Sequence, residues 1–532
     1  MRLINTYFIP LLLLLSCFFH LYNLAWGQPY FFHPDERNIA SSVSQLNFPK
    51  QLNPHFFAYG SLPIYAIYFT GYIFNTFYQP ENGLFNQAII ISRFYSSLLS
   101  VLLVFSVYFV TSRLTEKKTA LLATFLTTTS VGLLQFAHFG TFEIWLTIGS
   151  WWLFYLCTLL AKTYKPKYVL WISFFFGSLL AIKISSGILL LLPAIALVFL
   201  FRMKKHSFSF QHIFIIKGRL FFLSFLVFLL FSPFILIDTQ SFLSTLHYES
   251  SVAFGTLHVF YTGEFFNSIP VLFQLIKIYP FLINPFLTIL LVPSFLYLCF
   301  ISIKNSNYSY SLLLITFLLL FLSQSFLFAK WIRYIVPTIP FAYLIISITI
   351  IDFLQYLKRK YVIYFLFLSL ATIQIIFFLS FFITTYIESD TRIQASIFAK
   401  NNIPASSSIL SEVYDLGIVP FNQYFQHITL FNFYDLDNNP SDQNVSSLIK
   451  ESSYIILPSQ RIFGTRLINK STFPNGNDFY TKLFNGKLGY KMIYQTPCSI
   501  FCKIAYLNNP LFSFEQTTSV FDRPTLFIFK KI

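Results

Sequence analysis

The chain has 532 residues, 56% of them hydrophobic, 21% aromatic and 11% charged, with a mean hydropathy of +0.64, which excludes a water-soluble globular protein and places most of it in a bilayer. A formal net charge of +16 would suit a nucleic-acid binder. From Glu388 onward, however, thirteen Lys/Arg face eleven Asp/Glu, so the excess lies in the apolar part, where loop bias puts it and where no nucleic acid is expected.

Helix one is predicted over about 7–24, with Arg2 on the cytoplasmic side. It could pass for a signal peptide with Cys17 at a lipoprotein-type site, but the apolar run continues to Leu24 and the topology of the later spans requires a first one here. A first outer loop then covers about 25–90. Its stretch 62–78 is apolar, but counting it as a span would turn Arg113 and Lys117 outward, so an interfacial or re-entrant helix is expected there. Ten further spans are predicted near 91–112, 119–137, 142–161, 168–182, 184–201, 219–237, 281–303, 310–329, 334–352 and 361–386. This arrangement leaves sixteen Lys/Arg inside, Lys204, Lys205, Lys358 and Arg359 among them, and seven in or beside the outer loops.

The expected architecture is therefore a polytopic α-helical membrane protein of about eleven transmembrane helices, spanning residues 1–387, in the plasma membrane. An odd number of spans sends residues 388–532 outside as an extracytoplasmic α/β domain. Strands are predicted at 408–413, 454–457, 490–494 and 525–529, separated by turn-forming stretches such as NNPSD and PNGND.

Chemistry is then sought on the outer face. The string FFHPDERNIA sets His33, Asp35, Glu36 and Arg37 just beyond helix one. Adjacent carboxylates at a membrane surface cost desolvation energy unless partnered. Either they favour the positive end of a helix begun by Pro34, or one serves as general base toward an acceptor hydroxyl. Glu143, in the short second outer loop, is held against the same face. Three cations lie at outer helix ends: Arg93, Lys183 within GSLLAIKISSGILLLLP, and Arg333. Gathered by the bundle they would clamp a phosphate; singly, each reads equally well as an interfacial anchor. His55, Asp238, His247, Glu249, His258 and Glu264 leave a divalent metal possible, but no spacing forms a ligand pattern, so no metal site is assigned and no cofactor is required.

These strings together resemble the C-type integral-membrane glycosyltransferases that use lipid-phosphate sugars, closest to family 39, the group of protein O-mannosyltransferases and the lipid A aminoarabinose transferase. HPDE looks like the family's acidic motif, and NPHFFAYGSLPIY from Asn53 like the segment leading to its juxtamembrane helix. ISRFYSSLLSVLLVF from Ile91, the Lys183 stretch and RYIVPTIPFAYL from Arg333 match corresponding helices. IFAKNNIPASSSILSE from Ile397 and FYTKLFNGKLGYKMIY from Phe479 extend the likeness into the tail. The resemblance implies inverting transfer of a sugar from a polyprenyl-phosphate donor to a protein, lipid or glycan acceptor, with Asp35 as catalytic base and Glu36 and Glu143 as supporting acids. Arg93, Lys183 and Arg333 as phosphate-binding cations follow from the topology more than from the family. No WWDYG-type motif occurs after Glu388, which favours a single sugar over a preassembled oligosaccharide.

The competing expectation is a polytopic transporter or flippase of a lipid-linked substrate, in which intramembrane charges mark a path. Internal repeats of the kind transporters often carry are not seen. Cys17, Cys157 and Cys299 fall in predicted helices and read as small apolar residues, while Cys498 and Cys502 could pair across a short loop.

Overall fold

The computed structural model describes residues 2–77, 83–203, 210–357, 360–414, 416–438 and 444–532. Lys204, Lys205, Lys358, Arg359, Tyr78 and most of the NNPSD turn lie outside the described residues. Helix α1 (Arg2–Leu21) leads through a loop to α2 (Pro34–Ser44) and α3 (Ser61–Phe77). The bundle continues with α4 (Gly83–Leu114), α5 (Lys117–Thr128), α6 (Val131–His138), α7 (Glu143–Lys162) and α8 (Pro166–Ile182). After a 3-10 turn (Ile184–Leu190) come α9 (Leu191–Met203), α10 (Phe210–Phe231), α11 (Thr239–Phe254), α12 (Pro285–Lys304) and α13 (Tyr308–Ser325), then α14 (Ile339–Tyr356) and α15 (Lys360–Phe382).

Eight of the helical stretches described are long and apolar enough to cross a bilayer, nine if the bent pair α5–α6 counts as one span. The shorter apolar helices Tyr7–Leu21 and Pro166–Ile182 bring the candidates to the number expected, and the chain is a multi-pass membrane protein. Two predicted spans need correction. The one placed at 119–137 is broken, bent by 49° between α5 and α6. Thr124, Thr127, Thr128 and Thr129 each turn a hydroxyl back onto the carbonyl four residues earlier, which loosens a helix, and Ser130 caps the next one by accepting from Leu133 N. The Thr129 carbonyl takes a bond from Gln374 Nε2 on α15, so the break stays satisfied inside apolar surroundings. The span placed at 219–237 lies instead at Phe210–Phe231, its end falling just before Pro233, which has no N–H to continue the ladder.

Beyond α15 and a π-turn (Ile383–Ile387), helix α16 (Thr391–Asn402) opens the tail. Five strands follow: β1 (Ser408–Glu412), β2 (His427–Phe431), β3 (Tyr454–Leu457), β4 (Tyr490–Gln495) and β5 (Phe527–Lys531), in the order β2-β1-β3-β5-β4. β1 runs parallel to β2 and β3, while β5 is antiparallel to β3 and β4. Residues of β1, β3 and β5 alternate between two apolar cores: Leu410, Ile455 and Phe529 on one face, Ile409, Ile456 and Ile528 on the other. Strand β2 was not anticipated from the sequence; it is an edge strand with no fully buried residue.

The tail does not stay apart from the bundle. Between β4 and β5 the chain leaves the sheet, passes the Cys498–Cys502 disulfide, and docks on the helices. There Gln135 Nε2 donates to Thr518 O at 3.0 Å and to Asp522 Oδ2 at 2.9 Å, Lys277 Nζ donates to Phe512 O at 2.5 Å, and Glu515 accepts from Ile332 N.

Candidate active site

Between bundle and sheet lies a cavity of about 880 Å³, and Asp35, Glu143, Lys183 and Arg333 all line it. Asp35 is there because Pro34 starts α2 with its fixed φ and the two acids fill the first turn, where the helix dipole favours them. The structural and functional readings of HPDE are thus compatible. Lys183 sits at the break between α8 and the 3-10 turn. The loop before α3 meets this break through a Gly60 N bond to Ile182 O at 2.8 Å. A Cβ on Gly60 would fall 1.9 Å from the Ala181 carbonyl oxygen, so only glycine lets the two backbones approach. Arg333 stands in a 3-10 turn (Ile332–Tyr334) just before α14.

Arg333 Nη1 donates to Asp35 Oδ2 at 2.5 Å, both side chains being about 25% exposed, and the same nitrogen lies 3.2 Å from the Tyr59 hydroxyl. Tyr59 also donates to Asp35 Oδ2, at 3.4 Å. Burial alone would raise the Asp35 pKa, but Arg333, helped by His33, Arg461 and the Tyr59 hydroxyl, holds it below the usual carboxylate range. Lys183 forms no ion pair among the described residues; its Nζ lies 4.6 Å from the Tyr334 ring and 5.8 Å from that of Tyr59. The Arg333 guanidinium faces Trp331 at 4.8 Å and Tyr334 at 5.6 Å. The two cations therefore share the Tyr334 ring while their donors toward the cavity stay largely uncommitted.

Glu36 and Arg93, expected as a supporting acid and a phosphate-binding cation, are not among the residues that line this cavity. Both side chains are 0% exposed. Arg93 gives Nε and Nη2 to Glu36 at 2.9 and 2.6 Å and Nη1 to the carbonyls of Leu24 and Trp26 at 2.8 Å each, so its charge and most of its donors are committed. Glu36 also accepts from Gly140 N at 2.6 Å, and a Cβ on Gly140 would collide with Ser92 Oγ at 2.1 Å. Pairs of this kind fasten elements together: here the loop after α1, α2, α4 and the turn before α7. Glu143 lines the cavity but is 2% exposed, with Oε2 unpartnered.

Sequence reasoning missed the aromatic wall of Tyr59, Tyr261, Trp331, Tyr334 and Phe521, and saw Glu249 only as a metal-ligand candidate. The signal for Glu249 was helical spacing: Leu246, Glu249, Ser250 and Ala253 fall on one face of α11, and all four line the cavity. Its pKa is raised by burial, against the pull of Arg333 and Lys183. Among the described residues no three His, Cys, Asp or Glu side chains converge as metal ligands. His55 instead meets Asp238 at 3.5 Å, and Glu264 Oε2 accepts from Gln516 N.

Residues 77–237 match the family model described as dolichyl-phosphate-mannose-protein mannosyltransferase, a stretch that holds Arg93, Glu143 and Lys183 but neither Asp35 nor Arg333. A comparison with curated proteins finds no match. Among solved structures, the apo oligosaccharyltransferase of Archaeoglobus fulgidus is 12% identical, with 99% of this chain and 89% of that one covered and a TM-score of 0.52. The A. fulgidus oligosaccharyltransferase AglB in complex with an inhibitory peptide and a dolichol-phosphate gives 12%, 99%, 89% and 0.51. ArnT from Cupriavidus metallidurans bound to undecaprenyl phosphate is 10% identical over 88% of this chain and 94% of its own, at a TM-score of 0.46 that carries no argument. The fold is that of the archaeal oligosaccharyltransferase, and the resemblance to C-type membrane glycosyltransferases stands.

Proposed function

We propose that the protein is a glycosyltransferase that moves one sugar from a polyprenyl-phosphate donor to an acceptor hydroxyl, with inversion at the anomeric carbon. The observation that carries this reading is the cavity lined by Asp35, paired with Arg333, and by a second cation, Lys183, the two cations lying at the outer ends of separate helices. The matched family description and the archaeal complex with a dolichol-phosphate support a lipid phosphate as the donor's carrier. The reaction site is on the outer face of the plasma membrane with the sheet domain extracytoplasmic. The Cys498–Cys502 disulfide is in keeping with an oxidising compartment.

In this reading Arg333 and Lys183 hold the donor phosphate, Arg333 by the edge it does not spend on Asp35. The acceptor oxygen attacks the anomeric carbon, its proton passes to Asp35, and the bond from that carbon to the phosphate oxygen breaks, its electron pair leaving with the polyprenyl phosphate. Arg333 lowers the basicity of Asp35 in the donor-free protein; the negative phosphate beside the same guanidinium offsets that effect when the donor arrives. Glu143 supports the two cations electrostatically. No cofactor is required, and no step runs through a metal.

The test is transfer from a panel of radiolabelled polyprenyl-phosphate monosaccharides by purified protein in detergent, wild type against Asp35→Asn. Transfer by wild type that falls about a hundredfold or more in the variant is the expected result for loss of a general base. Equal transfer by both would remove Asp35 from the chemistry, and tight lipid binding without transfer would favour a transporter.

A further inference from the structure

Two acidic side chains at the cavity take no hydrogen bond or ion pair from the described residues, Glu143 and Glu249. Glu143 is sealed at 2% exposure, whereas Glu249 is half-buried and its carboxylate is open to whatever enters. A carboxylate desolvated without a partner costs free energy, so a ligand group that supplies the partner is the economical reason for its presence.

The surroundings of Glu249 say which part of the reaction it meets. Beside it on α11, the Tyr248 hydroxyl lies 3.4 Å from that of Tyr261. The Tyr261 ring lies 5.8 Å from Trp331, and Trp331 lies 5.4 Å from Tyr334, whose face both phosphate-binding cations share. Aromatic rings thus line the cavity from Tyr248, next to Glu249 in the chain, to Tyr334 beside Lys183 and Arg333. A phosphate anion placed against Glu249 would meet like charge, so the donor's phosphate belongs on Lys183 and Arg333 and the Glu249 carboxylate receives a group that donates hydrogen bonds. Flat aromatic faces beside a hydrogen-bond-accepting carboxylate suit a pyranose ring, which has an apolar C–H face and an edge of hydroxyls. A Ser or Thr side chain offers one hydroxyl, which Asp35 takes, and leaves nothing on that side chain for Glu249.

We propose that Glu249 is an acceptor-binding residue, and that the acceptor is a saccharide carrying a second hydroxyl next to the attacking one, which Glu249 holds. The proposal rests on the glycosyltransferase reading and names its acceptor class. It assigns Lys183 and Arg333 to the donor phosphate and Glu249, with the Tyr261 ring near it, to the acceptor, in one cavity that Asp35 also lines.

The experiment uses the full chain in detergent, the donor identified by the polyprenyl-phosphate panel, and two acceptor sets: tagged oligosaccharides, each with analogues deoxygenated next to the accepting hydroxyl, and a Ser/Thr peptide library. Wild type is expected to glycosylate an oligosaccharide. Glu249→Gln is expected to raise the acceptor KM at least about tenfold, the loss of one charge-assisted hydrogen bond, while the donor KM moves less than about twofold. Glu249→Asp should recover part of the loss. The deoxy analogue should cost wild type a similar factor and the Gln variant almost nothing, a coupling that general misfolding does not produce. Wild-type transfer to peptides alone, an unchanged acceptor KM in Glu249→Gln, or a rise confined to the donor KM would each overturn the proposal. Wild type inactive on every donor and acceptor would remove the glycosyltransferase reading and this inference with it.

Discussion

Glu36→Gln separates a fastening role from a chemical one. Glu36 accepts three bonds, from Arg93 Nε, Arg93 Nη2 and Gly140 N, with both partners of the ion pair at 0% exposure. Glutamine is nearly isosteric but has no charge and a single acceptor oxygen. Its amide would face a guanidinium or backbone N–H where a carboxylate oxygen had accepted, leaving Arg93 charged and under-satisfied. Removing one member of a buried ion pair costs about 3–5 kcal/mol, against a total of about 5–15 kcal/mol for a typical domain. The assay is thermal unfolding in detergent, by tryptophan fluorescence or thiol labelling, alongside transfer measured per folded molecule. Glu36→Gln should lower the midpoint by several degrees or reduce the yield of folded protein, while the surviving folded molecules keep most of their turnover. The double variant Glu36→Met with Arg93→Met should be more stable than either single change, because it leaves no unpaired charge. An unchanged midpoint with transfer reduced a hundredfold would refute this reasoning and return Glu36 to the chemistry.

Lys183→Met and Arg333→Met should each raise the KM for the donor about tenfold or more, read as initial rates against polyprenyl-phosphate sugar; Arg333→Met should also raise the pKa of Asp35 and move the acid limb of the rate profile upward. The Asp35 carboxyl is held below its ordinary value, so its pair with Arg333 contributes stability above about pH 4 and loses it as pH falls through the depressed pKa. A pH series of unfolding midpoints should show that acid loss in wild type and less of it in Asp35→Asn, muted because the pair is partly exposed. Asp522 has the opposite sign: burial raises its pKa to about 7, against the Gln135 bond and Arg392. The folded state therefore binds more protons than the unfolded one between about pH 4 and 7, and stability falls as pH climbs through that window; Asp522→Asn should flatten the fall. Replacing Cys498 and Cys502 by serine opens a very short loop and should cost about 2 kcal/mol or less, with transfer retained.

Hydropathy made the bundle legible because a bilayer imposes one length on every span and forbids unsatisfied backbone within it. It failed where hydropathy says nothing. The break between α5 and α6 comes from threonine hydroxyls and a glutamine on a distant helix, and the end of α10 from one proline. The site was half legible for a related reason. Loop position marked Asp35, Glu143, Lys183 and Arg333 as outer-face groups, but Arg93 has the same loop-edge position and turns inward. Only the fold tells a cation that clamps a carboxylate from one whose donors are spare. Tyr261 and Phe521 could not be chosen from a chain with 33 Tyr and 71 Phe, since such residues in that background carry no positional signal. Strand β2 is half-buried or exposed along its whole length, without the continuous burial of β1 and β3.

Strand β5 sits between β3 and β4, and β4 reaches the rest of the sheet through it. During synthesis the ribosome must therefore reach Lys531 before β4 has a neighbour, and the segment that lies on the bundle is an excursion whose two ends are both anchored in this late pairing. Tyr414 and Phe521 wall the cavity from the tail, so the site has no roof until both have been made. The helices that carry Asp35, Lys183 and Arg333 are therefore made before the segments that cover them, and the cavity gains its second wall only when the sheet closes.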